Sequence, residues 1–120
     1  MTTPKQVKIY GIKSCDTMKK AFTWLDDNDI AYVFHDFKKE TPDAPTIQNW
    51  IEHLPLDSLI NKRGTTWRKL DDETKQSLDD KVAVSLIQTN ASIVKRPLLE
   101  VDGQFHLGFK ADQYGTIFNQ

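Results

Sequence analysis

The sequence predicts a mixed α/β domain, and three observations carry that prediction. A strand-forming run, Val7-Lys8-Ile9-Tyr10-Gly11-Ile12, leads into a helix-periodic segment and then a second strand-forming run, which makes a β-α-β opening. Asp102-Gly103 separates two further strand-forming runs, and an Asp-Gly pair in that setting is the strongest short-range signal for a two-residue hairpin. Between the opening and the hairpin, a stretch punctuated by Pro42 and Pro45 carries apolar residues at helical spacing.

The elements follow in order. Gly11, just before a polar turn, suits a sharp change of direction after the first strand. Met18, Phe22 and Leu25, with Ala21 beside them, line one helix face, and Asp26-Asp27-Asn28-Asp29 ends it. Ile30 to Phe37 resumes strand character through Tyr32, Val33, Phe34 and Phe37. A right-handed crossover would pair these strands in parallel and place the end of the first at an edge where ligands collect. Ile47, Trp50, Ile51 and Leu54 predict a helix over 46–54, and short helices are expected over 56–60, 67–70, 74–78 and 82–88. These form a helical insertion of roughly residues 43–90. Strand character returns in Arg96 to Val101 and Gln104 to Gly108, and Lys110 to Phe118 closes the domain as a helix despite Gly115.

This order, β-α-β, a helical layer, a β-hairpin and a helix, is that of a single domain over residues 1–120 with a thioredoxin-like sheet and an inserted helical layer. Such folds hold a cis proline at the start of the third strand, beside the reactive cysteine. Pro97 stands there. A trans proline at a strand entrance is the commoner use of the residue, but the topology favours cis.

Composition narrows the function. Lys and Arg number 16 against 17 Asp and Glu, interspersed, so there is no electrostatic footprint for nucleic acid or an anionic membrane. Met1 to Lys5 lacks the apolar core of a signal peptide, and no apolar run approaches the length of a membrane span. A single cysteine cannot form an intramolecular disulfide. A cytoplasmic monomer is expected. His35, His53 and His106 show no metal-ligand spacing, so neither a metal nor a bound cofactor is expected.

The one cysteine, Cys15, sits at the seam between first strand and first helix. A thiol there faces the unpaired amides and the positive end of the helix dipole, which favour thiolate over thiol. Lys13, Lys19 and Lys20 add positive charge within a turn of the sulfur, and Ser14, Asp16 and Thr17 start helices instead of filling cores. The plainer alternative is a small buried hydrophobe. Asp16 suits a capping role in the first turn, although its charge opposes that of the lysines.

Three separated motifs carry a family resemblance: Ile9-Tyr10-Gly11-Ile12-Lys13-Ser14-Cys15-Asp16-Thr17-Met18-Lys19-Lys20-Ala21, Asn61-Lys62-Arg63-Gly64-Thr65-Thr66-Trp67-Arg68-Lys69-Leu70, and Lys95-Arg96-Pro97-Leu98-Leu99. With Gly108-Phe109 after the hairpin, the chain resembles the arsenate reductase-like (ArsC/Spx/YffB) family, and most closely its YffB-type branch. The resemblance implies a thiol-dependent reductase in which Cys15 is the nucleophile and Arg96 the catalytic arginine before the proline. It implies that Arg63, Pro97, Lys13 and Lys110 line the substrate site, with surface salt bridging the alternative for Arg63 and simple solvation for Lys13. Arsenate reductases of this type carry a third arginine just after the hairpin, where this chain has Phe109 followed by Lys110. A flexible point charge does not replace a guanidinium fork, which argues against arsenate as substrate. With no second cysteine, the resolving thiol must come from outside, so glutathione is expected as co-substrate, with glutathione or a glutaredoxin as partner. Two alternatives stand beside this glutathione-dependent thiol reductase. One is an Spx-like regulator that binds RNA polymerase without turnover, although Met18 replaces the second cysteine of the Cys-x-x-Cys switch; the other is arsenate reductase itself.

Overall fold

Along the chain of this computed structural model, which describes residues 6–119, run β1 (Val7–Gly11), α1 (Asp16–Asp27), β2 (Val33–Asp36), α2 (Ala44–His53), α3 (Leu56–Leu59), α4 (Thr65–Arg68), α5 (Asp72–Gln76), α6 (Asp80–Thr89), β3 (Leu98–Val101), β4 (Gln104–Leu107) and α7 (Ala111–Phe118). The leader reading of residues 1–5 lies outside the described residues. The described residues up to Asp36, with those from Arg96 onward, form one unit; Phe37–Lys95 form the other. No helix among the described residues is long and apolar enough to cross a membrane.

The first unit is built on a four-stranded sheet of order β2-β1-β3-β4. β1 pairs with β2 in parallel, Ile9 opposite Phe34, and with β3 antiparallel, Ile9 opposite Leu99. The fold is thioredoxin-like, as the order of elements anticipates. Because strand side chains alternate, Val7, Ile9 and Leu99 share one face. They form a core with Met18, Ala21 and Leu25 of α1 and Tyr114 and Phe118 of α7. The spacing of the three α1 residues is what one buried helical stripe requires.

β3 and β4 meet in the expected two-residue turn. Asp102 (φ 48°) and Gly103 (φ 85°) both take positive φ, the combination that matches the twist of paired strands. The second strand is shorter than expected. At the end of α1, Asp29 turns left-handed (φ 56°), and the Ile30 amide donates back to the Leu25 carbonyl at 3.0 Å. Ile30 is thereby consumed in the helix cap, and pairing begins only at Val33. α7 runs through Gly115, carried by its buried Tyr114 and Phe118.

In the second unit α2 packs on α6, burying Ile47, Trp50, Ala83 and Ile87. The Asn61 amide donates to the Ile93 carbonyl, and the Lys95 amide to the Leu59 carbonyl, each at 2.8 Å. Helix starts follow aspartate caps: Asp43, Asp71 and Asp79 accept from the amides of Thr46, Thr74 and Val82 at 2.8–2.9 Å. The Asp71 cap starts α5 two residues before the expected 74, and α4 likewise begins two residues early, at Thr65. Asn90 caps an unanticipated short 3-10 turn, Ala91–Ile93.

Candidate active site

Cys15 occupies the N-cap of α1 in extended backbone (φ −78°, ψ 131°), half-buried, against the rim of the first unit's core. Its backbone is held from both sides, the amide donating to the Ile12 carbonyl at 3.2 Å and the carbonyl accepting from the Lys19 amide at 3.0 Å. The side chain makes no tight cap of the kind an oxygen would make. The Met18 and Thr17 amides of the first turn nonetheless favour the anionic form of the sulfur.

Partial burial is the largest single influence on the thiol and pushes its pKa up. The Met18 amide, the Thr17 amide and the Arg96 guanidinium, which acts by charge and by a hydrogen bond to the sulfur, together outweigh burial. The net effect is a pKa below the ordinary thiol value. The lysines singled out in the sequence are not the source: Lys13, Lys19 and Lys20 are exposed, and the cation acting on the sulfur is Arg96.

Arg96 reaches this position from the segment entering β3. The Arg96–Pro97 peptide bond is cis, as the topology anticipates, Pro97 is buried, and its carbonyl accepts from the Gly108 amide at 2.9 Å. The fold therefore brings together Cys15, Arg96 and two backbone amides. Sequence reasoning anticipated donors at a helix N-terminus without identifying Thr17 and Met18, whose contribution is main-chain and leaves no mark in residue type.

The other candidates, Lys13, Lys110 and Arg63, are exposed. Lys13 is exposed in the turn before α1, and Lys110 is the exposed N-cap residue of α7. Arg63 belongs to the second unit, exposed in the turn before α4, its amide donating to Asn61 Oδ1 at 3.3 Å. Its neighbour Lys62 is engaged with Asp57 (2.5 Å) and lies 5.3 Å from the Trp67 ring centroid. Phe109 packs edge-on against Tyr114, ring centroids 4.7 Å apart, at the margin of the core. Two open depressions, of about 340 and 620 Å³, flank Trp24 further along α1, and Cys15 lines neither.

Comparison with known proteins shows the family. The sequence matches the ArsC family model over residues 10–117. The chain belongs to the ArsC family. It is 39% identical over 112 residues to an uncharacterized protein of Haemophilus influenzae, covering 93% of this chain and 98% of that one. The solved structure of the YFFB protein superposes with a TM-score of 0.90 at 42% identity, over 94% of this chain and 99% of that one. An arsenate reductase (ArsC) related protein from Brucella melitensis matches at 47% identity and a TM-score of 0.76, over 96% of each chain. The global transcriptional regulator Spx of Staphylococcus epidermidis is 27% identical over 109 residues, 89% of this chain and 82% of the regulator. This ArsC-family chain thus has reductase-related and regulator relatives.

Proposed function

We propose that this ArsC-family protein is a glutathione-dependent thiol reductase acting through Cys15, as a monomer in the cytoplasm. The observation that carries the reading is the convergence of the Met18 and Thr17 amides and the Arg96 guanidinium on one sulfur, which stabilises its anion. A thiolate so held attacks the glutathione sulfur of a mixed disulfide R–S–S–glutathione. A Cys15–glutathione disulfide forms, the S–S bond of the mixed disulfide breaks, and the electron pair leaves on RS⁻, which takes a proton from solvent. A second glutathione, as thiolate, then attacks the bound glutathione sulfur, giving oxidised glutathione and restoring the Cys15 thiolate. Net, the mixed disulfide and one free glutathione become the free thiol RSH and oxidised glutathione. Arg96 holds the anion and, with Lys13, Pro97 and Lys110 of the same unit, meets the substrate.

The test is turnover of a glutathionylated peptide with glutathione, coupled to glutathione reductase. The native chain is expected to turn over, and Cys15→Ser to fall to background. Equal rates for the two would dismiss the thiol mechanism. The Spx relatives favour a second reading, a regulator without turnover that binds RNA polymerase. Two facts separate it: this chain has one cysteine, and Met18, at the place of the switch's second cysteine, is fully buried. Polymerase retained by both native protein and Cys15→Ser, with no turnover by either, would select that reading.

A further inference from the structure

Met18 meets the thiol site twice. Its amide belongs to the first turn of α1, which Cys15 precedes as N-cap, and with that of Thr17 it favours the thiolate. Its side chain, fully buried, lies on Gly11 at the end of β1. The approach is close enough that a Cβ built on Gly11 would come within 2.5 Å of Met18 Sδ and 2.8 Å of Cε, distances real Cβ atoms do not adopt. Gly11 is not among the residues with positive φ, so backbone freedom does not account for a glycine here. The seat it leaves for the thioether does.

We propose that Met18 is a positioning residue for Cys15: its thioether, seated on Gly11, ties the first turn of α1 to the end of β1 and so holds the Thr17 and Met18 amides on the sulfur. The proposal rests on the reading of Cys15 as nucleophile and adds what keeps its donors in place. Donors to a developing or resting anion lose most of their effect when the supporting shell lets them drift by about 1 Å. Met18 suits the task because its amide is one of those groups, so side-chain anchor and amide are joined at a single Cα. Among charged groups, Arg96 from the segment entering β3 acts on the sulfur and is untouched by this contact, while Lys13 before α1 and Asp16 on its first turn are exposed.

The experiment is the pH–rate profile of Cys15 alkylation by iodoacetamide, with the urea unfolding midpoint measured in parallel. Five proteins are compared: native, Met18→Ala, Met18→Leu, Gly11→Ala and, as a control in the same core, Leu25→Ala. Met18→Ala and Gly11→Ala are expected to react at least about threefold more slowly at neutral pH, with the inflection moved up and the high-pH plateau kept. Met18→Leu, which keeps the volume, should stay near native. Leu25→Ala should lose stability without moving the inflection. Gly11→Ala adds a single methyl and probes the same contact if Met18→Ala does not fold. Unchanged inflections in Met18→Ala and Gly11→Ala, or an equal shift in Leu25→Ala, would overturn the proposal. A native inflection no lower than a free thiol's overturns the reading beneath it as well, which distinguishes the two failures.

Discussion

Replacing Tyr114 by phenylalanine is expected to stabilise this protein. Tyr114 is fully buried on α7, its ring 4.7 Å from Phe109, 5.6 Å from Trp24 and 6.1 Å from Phe118, all at steep angles. Its hydroxyl has no hydrogen-bond partner among the described residues. A hydroxyl buried without a partner costs about 1–3 kcal/mol, and phenylalanine keeps every ring contact while removing that cost. Allowing for relaxation around the smaller side chain, the gain is about 1 kcal/mol, or about 3–5 °C in melting temperature for a chain of this size. Burial also holds the phenol above the ordinary tyrosine range. The unfolded chain releases this proton above pH ~10 while the native chain keeps it, so the native state is favoured by nothing extra below that pH and loses ground above it, by up to about 1.4 kcal/mol per pH unit. The advantage of Tyr114→Phe should therefore widen between pH 7 and pH 10.5. Urea unfolding followed by circular dichroism at both pH values measures the difference, in which the other tyrosines cancel. A Phe variant less stable than native at pH 7 by more than about 0.5 kcal/mol would refute the reasoning, since it would mean the hydroxyl is bonded.

Arg96→Ala should slow alkylation of Cys15 at neutral pH several-fold. Arg96→Lys should recover only part, because an ammonium keeps the charge and loses the fork; a variant as reactive as native would remove Arg96 from the site. Asp79→Ala, which deletes the cap accepting from the Val82 amide at 2.8 Å, should cost about 1 kcal/mol in urea unfolding, and a neutral result would mean α6 is held by packing alone. Arsenate reduction with glutathione and glutaredoxin should run near background. Phe109→Arg would restore a guanidinium after the hairpin but sacrifice the edge-on contact with Tyr114, so any rescue should come with lowered stability. Robust arsenate turnover by the native chain would show that a third arginine is dispensable.

The parts of the fold that sequence discloses are those whose physics is local. Strand formers alternate or run together, α1 writes its buried stripe as Met18, Ala21 and Leu25, and Asp102-Gly103 names its own turn because few other pairs accept positive φ twice. Boundaries fared less well where a backbone group decided them. Ile30 has a strand's composition, yet its amide belongs to the cap of α1. The helices of the second unit begin where Asp43, Asp71 and Asp79 cap them, a signal present in the sequence but hidden when only apolar spacing is followed. The site divides in the same way. Cys15 and Arg96 were legible, one from its junction and the other from the motif around Pro97. The lysines near Cys15 in sequence are exposed, and the charge that acts on the sulfur comes from Arg96, distant in sequence. The two amides and the seat on Gly11 have no residue type to announce them, because each is a matter of main-chain direction or of an atom that is absent.

Mass spectrometry of the intact protein mixed with oxidised glutathione at neutral pH tests the central claim most directly. The account predicts one glutathione adduct per chain, mapped to Cys15, formed several-fold faster by native protein than by Arg96→Ala and discharged by added glutathione. A chain that forms no adduct while folded, or an adduct that added glutathione does not remove, would contradict it.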